Sequence, residues 1–238
     1  MPSEQTPRAA WSLTETWPEL AGSVDTDQWA HAERLLVAPL VTAEGEELVP
    51  ALAAHADAFA FVITRGVVLK ETILAGRSSL ELLTEGDVLA PLTAGDGTDM
   101  RPGVSSYQAL GSASAAVLGD RFRLIGRRWP GVTDVLHSRL ADQHHQASLR
   151  LAALHLPRAE DRIVVLFIDL ARRLGRVTPG GIVINLPLTH DVIGRLTGSR
   201  RPTVSLALRA LEENGSLTAR GREWLLSHGA WNGLSGHA

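Results

Sequence analysis

Between residues 199 and 222 the chain gathers Ser199, Arg200, Arg201, Thr203, Ser205, Arg209, Arg220 and Arg222. A guanidinium is a planar fork of donors that can grip a guanine edge or a phosphate through two parallel hydrogen bonds. A hydroxyl beside it can take a phosphate or a base contact. No Ser–His–Asp arrangement and no carboxylate pair is discernible by local spacing. The chemistry on offer is therefore recognition of an anionic polymer, without bond making.

The elements that must carry these groups lie in LPLTHDVIGRLTGSRRPTVSLALRALEENGSLTARGREWLL, from Leu186 to Leu226. Thr189 suits a helix N-cap, and Val192, Ile193 and Leu196 supply one apolar face behind it. Gly198 allows a left-handed turn, and Pro202 fits the first turn of a second helix. Val204, Ala207, Leu208 and Leu211 give that helix a buried side, and Asn214-Gly215 stops it. Residues 217–219 and 223–226 then flank Arg220-Gly221-Arg222 as a two-stranded wing with a basic tip. A helix-turn-helix enters the major groove with the first residues of its second helix, and that is where the arginines cluster. Arg200, Arg201 and Arg209 are the candidates for base edges or nearby phosphate, and Thr189, Thr203 and Arg220 for positioning on the backbone. Ser199 and Ser205 complete the polar face.

The stretch resembles the winged helix of the cyclic-AMP receptor protein/FNR family of bacterial transcription regulators. Thr189, Ile193-Gly194, Gly198, Arg201 and Thr203-Val204 carry the likeness. The resemblance implies that Arg201 reads a base and that Thr203 touches phosphate. It also implies a homodimer on a pseudo-palindromic operator in double-stranded DNA, with RNA polymerase as a further partner. Two positions depart from the family pattern. Pro202 stands where a glutamate is frequent, and Leu206 replaces a second base-contacting arginine, so the operator is expected to differ from the best-known consensus.

Net charge is −3, but unevenly spread. Residues 1–120 hold 6 Lys/Arg against 17 Asp/Glu, whereas residues 121–156 and 157–238 each carry +4. A basic C-terminal part behind an acidic N-terminal part suits a regulator in which one domain alone meets a polyanion. The absence of cysteine excludes disulfides, a thiolate nucleophile and a cysteine-ligated iron–sulfur cluster. No apolar run approaches the roughly 20 residues of a membrane span, and the N-terminus has no signal-peptide pattern. A soluble, cytoplasmic protein is expected.

Taken in order, residues 1–26 read as a flexible arm, with Trp11, Trp17 and Trp29 as anchors onto the next domain and a short helix over 28–36. Residues 27–130 read as a β-roll, with strands at 59–63, 67–70, 72–74, 79–83, 88–89, 106–110 and 115–118. Gly66, Gly76, Gly86, Gly95, Gly97, Gly103 and Gly111 are placed as turns between them. Residues 61–69 and 85–89 resemble the roll of the same family, which implies a cyclic-nucleotide-binding-like domain. In the family a Gly-Glu pair and an Arg-Ser or Arg-Thr pair hold the nucleotide. Ala90-Pro91 replaces the first here, and Val104-Ser105, with Arg101 displaced, stands near the second. Proline removes an N–H donor, so no response to cyclic AMP is expected and the effector stays open.

Residues 131–156 read as a long helix with Val132, Leu136, Leu140, Gln143, Ala147, Leu151 and Leu154 in a seam suited to a parallel partner. The alternative is a helix packed on its own roll. His137, His144, His145 and His155 have no chelating spacing, and no metal or other cofactor is expected. The family resemblance also implies haem as a lesser alternative, since some members bind it through histidines and an N-terminal proline, and Pro2, His31 and His55 are present here. Residues 157–238 form the winged-helix domain, opening with an amphipathic helix on Ile163, Leu166, Phe167, Leu170 and Leu174. The fold class is α+β. Two competing functions stay open: a cupin-like, metal-dependent β-roll enzyme, for which His55 stands alone, and a sequence-blind architectural DNA binder.

Overall fold

The computed structural model describes residues 10–44, 48–55, 57–91 and 103–230. The chain divides into two compact units, Met1–His145 and Gln146–Ala238.

The first unit begins with strand β1 (Ala10–Ser12), helix α1 (Leu13–Thr16), a 3-10 turn (Pro18–Gly22) and helix α2 (Thr26–Leu35). Over residues 10–26 the expected arm is instead packed structure. Leu13, Trp17 and Leu20 are buried, and the Trp17 indole N–H donates to the Gly86 carbonyl at 3.1 Å. The Arg139 guanidinium also bonds Glu19. Burying an indole and two leucines releases enough apolar surface to order a short segment that local propensity leaves undecided. Residues 1–9, and with them Pro2, lie outside the described residues.

Strand β2 (Val37–Glu44) and helix α3 (Val49–Ala53) precede the long strand β3 (Ala60–Leu74), then β4 (Arg77–Thr84), β5 (Val88–Leu89) and β6 (Gly103–Leu118). The antiparallel sheet runs β1-β2-β6-β3-β4, with β5 also paired to β3. Three expected strands, 59–63, 67–70 and 72–74, are one strand. Gly66 does not end it. It sits at φ +84° beside a register shift, with the Ser112 carbonyl so close that a Cβ has no room. Gly111 likewise lies inside β6 at φ +89°, while Gly76 and Gly86 do turn the chain. Such bulges bend and twist a strand without breaking its ladder. Gly95, Gly97 and Arg101 lie outside the described residues.

Period-two alternation sends side chains to two cores. Phe61, Ile63, Ala115 and Val117 line the roll with Leu48, Leu52, Leu83 and Tyr107. Ala60, Val62, Ala116 and Leu118 face the other way, onto Trp17, Leu36, and helices α4 (Asp120–Arg128) and α5 (Pro130–Leu154). Sequence reading missed β2, which carries Pro39, and α4, whose buried side is little more than Phe122 and Ile125.

The expected seam on α5 divides. Val132 and Leu136 are buried in the core of the first unit, and the Gln143 side-chain amide grips Val88, accepting from its N–H at 3.0 Å and donating to its carbonyl at 3.1 Å. Leu136 and Gln143 are thus committed to the first unit, one by burial in its core and the other by two hydrogen bonds to Val88 of β5. Leu140, Ala147, Leu151 and Leu154 are exposed. The divide between the two units falls inside α5, not after it.

The second unit contains helix α6 (Ala159–Leu174), strands β7 (Arg176–Thr178) and β8 (Gly181–Asn185), helices α7 (His190–Leu196) and α8 (Arg201–Glu213), and strands β9 (Leu217–Arg220) and β10 (Glu223–Leu226). Its sheet runs β7-β8-β10-β9, so the expected two-stranded wing is the edge of a four-stranded sheet. Ile163, Phe167 and Leu170 of α6 are buried, and the Phe167 ring meets Trp224 at 4.9 Å between centroids. The Trp224 indole N–H donates to the Leu186 carbonyl at 3.2 Å, tying the wing to the segment before α7. Among the described residues no helix is long and apolar enough to cross a membrane.

Candidate nucleic-acid interface

Two helices and a turn of four residues place the basic groups. Thr189 caps α7 as its sequence suggests, its Oγ1 accepting from the Val192 N–H at 3.2 Å. Ile193 and Val204 are fully buried and hold α7 and α8 against the core. Gly194 lets the turn close: the Ser199 N–H donates to its carbonyl at 2.8 Å, and a Cβ there would stand 2.6 Å from the Ser199 carbonyl oxygen. Gly198 takes φ +62°. At the far end of α8, Ser216 N–H reaches back to the Leu211 carbonyl at 2.9 Å and Gly215 adopts φ +72°, a Schellman-type stop.

With Val204, Ala207, Leu208 and Leu211 turned inward, α8 turns the opposite side out. Arg200, Arg201, Pro202, Thr203, Ser205, Leu206 and Arg209 are all exposed. The first turn of α8 holds no acidic residue. Arg209 pairs with Glu213 one turn on, at 2.9 Å. An exposed pair of this kind contributes only about 0.3–0.5 kcal/mol, so the guanidinium is easily exchanged to another anion. Arg220 and Arg222 flank the Gly221 turn of the wing, where Gly221 has φ +65°, and both are exposed.

Ser199 is the exception among the expected site residues. Its hydroxyl accepts from Arg162 of α6 at 3.0 Å, so it is part of the scaffold. Ser205 also has internal partners, the Arg201 carbonyl at 3.1 Å and His190 Nδ1 at 2.9 Å. His190 is a member of this surface that sequence reasoning missed. It lines a shallow groove with Thr189, Asp191 and Arg201, opening between the starts of the two helices. Nothing local announces it, since its partner lies fifteen residues away.

The other histidines that the sequence singles out lie apart from this surface. His137, His144, His145 and His155 are exposed along or just after α5. His31 meets the Trp129 ring edge-on at 5.8 Å, and His55 sits in the loop after α3, not on a strand of the roll.

An antiparallel β-sheet unit, a long helix and a winged helix-turn-helix are thus the parts of the described fold. Residues 161–228 match the model of the Crp-like helix-turn-helix domain. No curated protein matches the chain. Among solved structures it is similar to FixK2 from Bradyrhizobium japonicum, at 22% identity and TM-score 0.65, over 85% of this chain and 98% of that one. A CooA mutant from Carboxydothermus hydrogenoformans is similar at 19% identity and TM-score 0.62, over 87% and 89%. TTHA1359 from Thermus thermophilus, a transcriptional regulator of the CRP/FNR family, follows at 19% identity and TM-score 0.58, over 82% and 96%. The chain therefore carries a Crp-like helix-turn-helix domain on the fold of the CRP/FNR regulators.

Proposed function

We propose that the protein is a homodimeric, sequence-specific DNA-binding transcription regulator that does not respond to cyclic AMP. The observation that carries this reading is the outward presentation of Arg200, Arg201 and Thr203 at the start of α8, with no carboxylate in that turn. In this geometry Arg201 reads a base edge, Thr203 and Thr189 hold phosphate, and Arg220 and Arg222 take the backbone beside the wing. A two-fold operator requires two copies, and the exposed Leu140, Ala147, Leu151 and Leu154 on α5 offer an apolar stripe for the second. Contact with RNA polymerase belongs to the same reading.

Two features of the roll support a departure from cyclic nucleotides. Ala90-Pro91 follows β5 where the family's Gly-Glu pair would grip a ribose, and the Ala90 carbonyl already accepts from the buried Tyr107 hydroxyl at 3.3 Å. Inside the roll, Leu48, Leu52, Phe61 and Leu83 fill space with apolar side chains.

Selection from a random duplex pool with the purified full chain tests the proposal. The expected outcome is an inverted repeat with half-sites about one helical turn apart, bound as a dimer with unchanged affinity when cyclic AMP is added. Binding of all duplexes alike would instead indicate a sequence-blind binder.

A further inference from the structure

The outward side of α8 carries one feature that phosphate binding does not use. Leu206 is 72% exposed at the middle of the helix, among the most exposed of the large apolar side chains described. At helical spacing Pro202, Thr203 and Arg209 flank it on the same face, four and three residues before and three after. The helix does not need it for packing, because Val204, Ala207, Leu208 and Leu211 already fill the core side. Other exposed leucines of the chain, such as Leu151 and Leu154, sit on α5, where further apolar neighbours join them. Leu206 is the one exposed large apolar side chain on α8.

A lone leucine held toward the major groove meets edges rich in hydrogen-bond donors and acceptors, which it cannot satisfy. The one apolar group that the four natural base pairs present there is the C5 methyl of thymine. Against any other edge the leucine would strip water from a polar atom and return nothing. Against thymine it buries a methyl group and its own branched end together.

We infer that Leu206 is a specificity-determining residue that selects thymine, through its methyl group, at the base step facing the middle of α8. This rests on the DNA-reading function proposed above. It divides the labour along the helix: arginine reads by hydrogen bonds at the N-terminal end, and leucine reads by apolar contact half a helix further on.

The test begins with the duplex selected from a random pool by the full chain. Each thymine of a half-site is replaced singly by deoxyuridine, which lacks only the methyl. Wild-type protein should lose about fourfold in affinity at one of these positions, the effect of exposing a methyl-sized apolar contact. Leu206→Ala should bind the thymine and deoxyuridine duplexes equally, while Leu206→Met should keep the discrimination. Leu206 is exposed, so circular dichroism should show both variants folded. If a specific duplex is selected but no deoxyuridine replacement weakens wild-type binding, thymine reading by Leu206 is overturned and base reading by α8 stands. Full discrimination retained by Leu206→Ala would overturn it equally. If no duplex is enriched at all, the DNA-reading function falls, and this inference with it.

Discussion

The Arg162 guanidinium donates to Ser199 Oγ at 3.0 Å, so the first helix of the winged unit is tied to the turn of the helix-turn-helix. The same side chain donates to the Leu156 carbonyl at 2.6 Å, just past the end of α5. Its Nε is buried with no hydrogen-bond partner among the described residues, so the arginine depends on these two bonds. One residue thus joins the exit of α5 to the turn that sets the angle of α8. Ser199→Ala should lower stability by about 1–3 kcal/mol, because a partly buried guanidinium loses an acceptor. Denaturant unfolding measures it. On DNA, the loss should be the same for cognate and random duplex. A loss confined to the cognate duplex would instead give Ser199 a direct part in base reading.

Arg201→Ala should weaken binding to the selected duplex by about 1–3 kcal/mol and relax preference at one base position. Competition binding with single-base variants of the site reads both effects. Equal losses on cognate and random duplex would assign Arg201 to phosphate alone.

Gly194→Ala should destabilise the winged unit by about 1–3 kcal/mol, since the new methyl meets the Ser199 backbone oxygen at 2.6 Å and backbone cannot step aside cheaply. The expected signature is a lower thermal midpoint for the C-terminal unit with α8 displaced. An unchanged midpoint would mean that the turn opens without cost.

Tyr107 offers a pH handle on the roll. Burial pushes its hydroxyl above the usual tyrosine range, assisted by the nearby Glu81 charge and opposed by its bond to Ala90. The folded state therefore holds this proton more tightly than the unfolded chain. Its contribution is fully present below the ordinary tyrosine pKa of about 10 and is lost as pH rises through the folded value. Thermal midpoints of wild type and Tyr107→Phe should converge as pH climbs past about 10. Parallel curves would show that Tyr107 does not govern the alkaline loss.

The helix-turn-helix was readable residue by residue because its signals are local. A cap hydroxyl, a left-handed glycine, a proline in the first helical turn and an Asn-Gly stop each act within a few residues, and each stands where expected. The roll was readable in its texture but not in its strand ends. Gly66 and Gly111 look the same in sequence as Gly76 and Gly86, yet only the paired strand decides whether a glycine bulges or turns. Pro39 similarly hid β2, whose pairing with β1 and β6 overrides a poor local preference.

Sequence alone determined the apolar periods, the caps and the basic character of the outward face of α8, since these follow from spacing along the chain. Tertiary structure decided which side chains are free to act. Ser199 is claimed by Arg162, Leu136 and Gln143 by the first unit, and Trp17 by Gly86, while Leu206 is left standing in solvent. The reason is physical: a partner brought close by folding can lie a hundred residues away, and no periodicity along the chain encodes what will stand opposite.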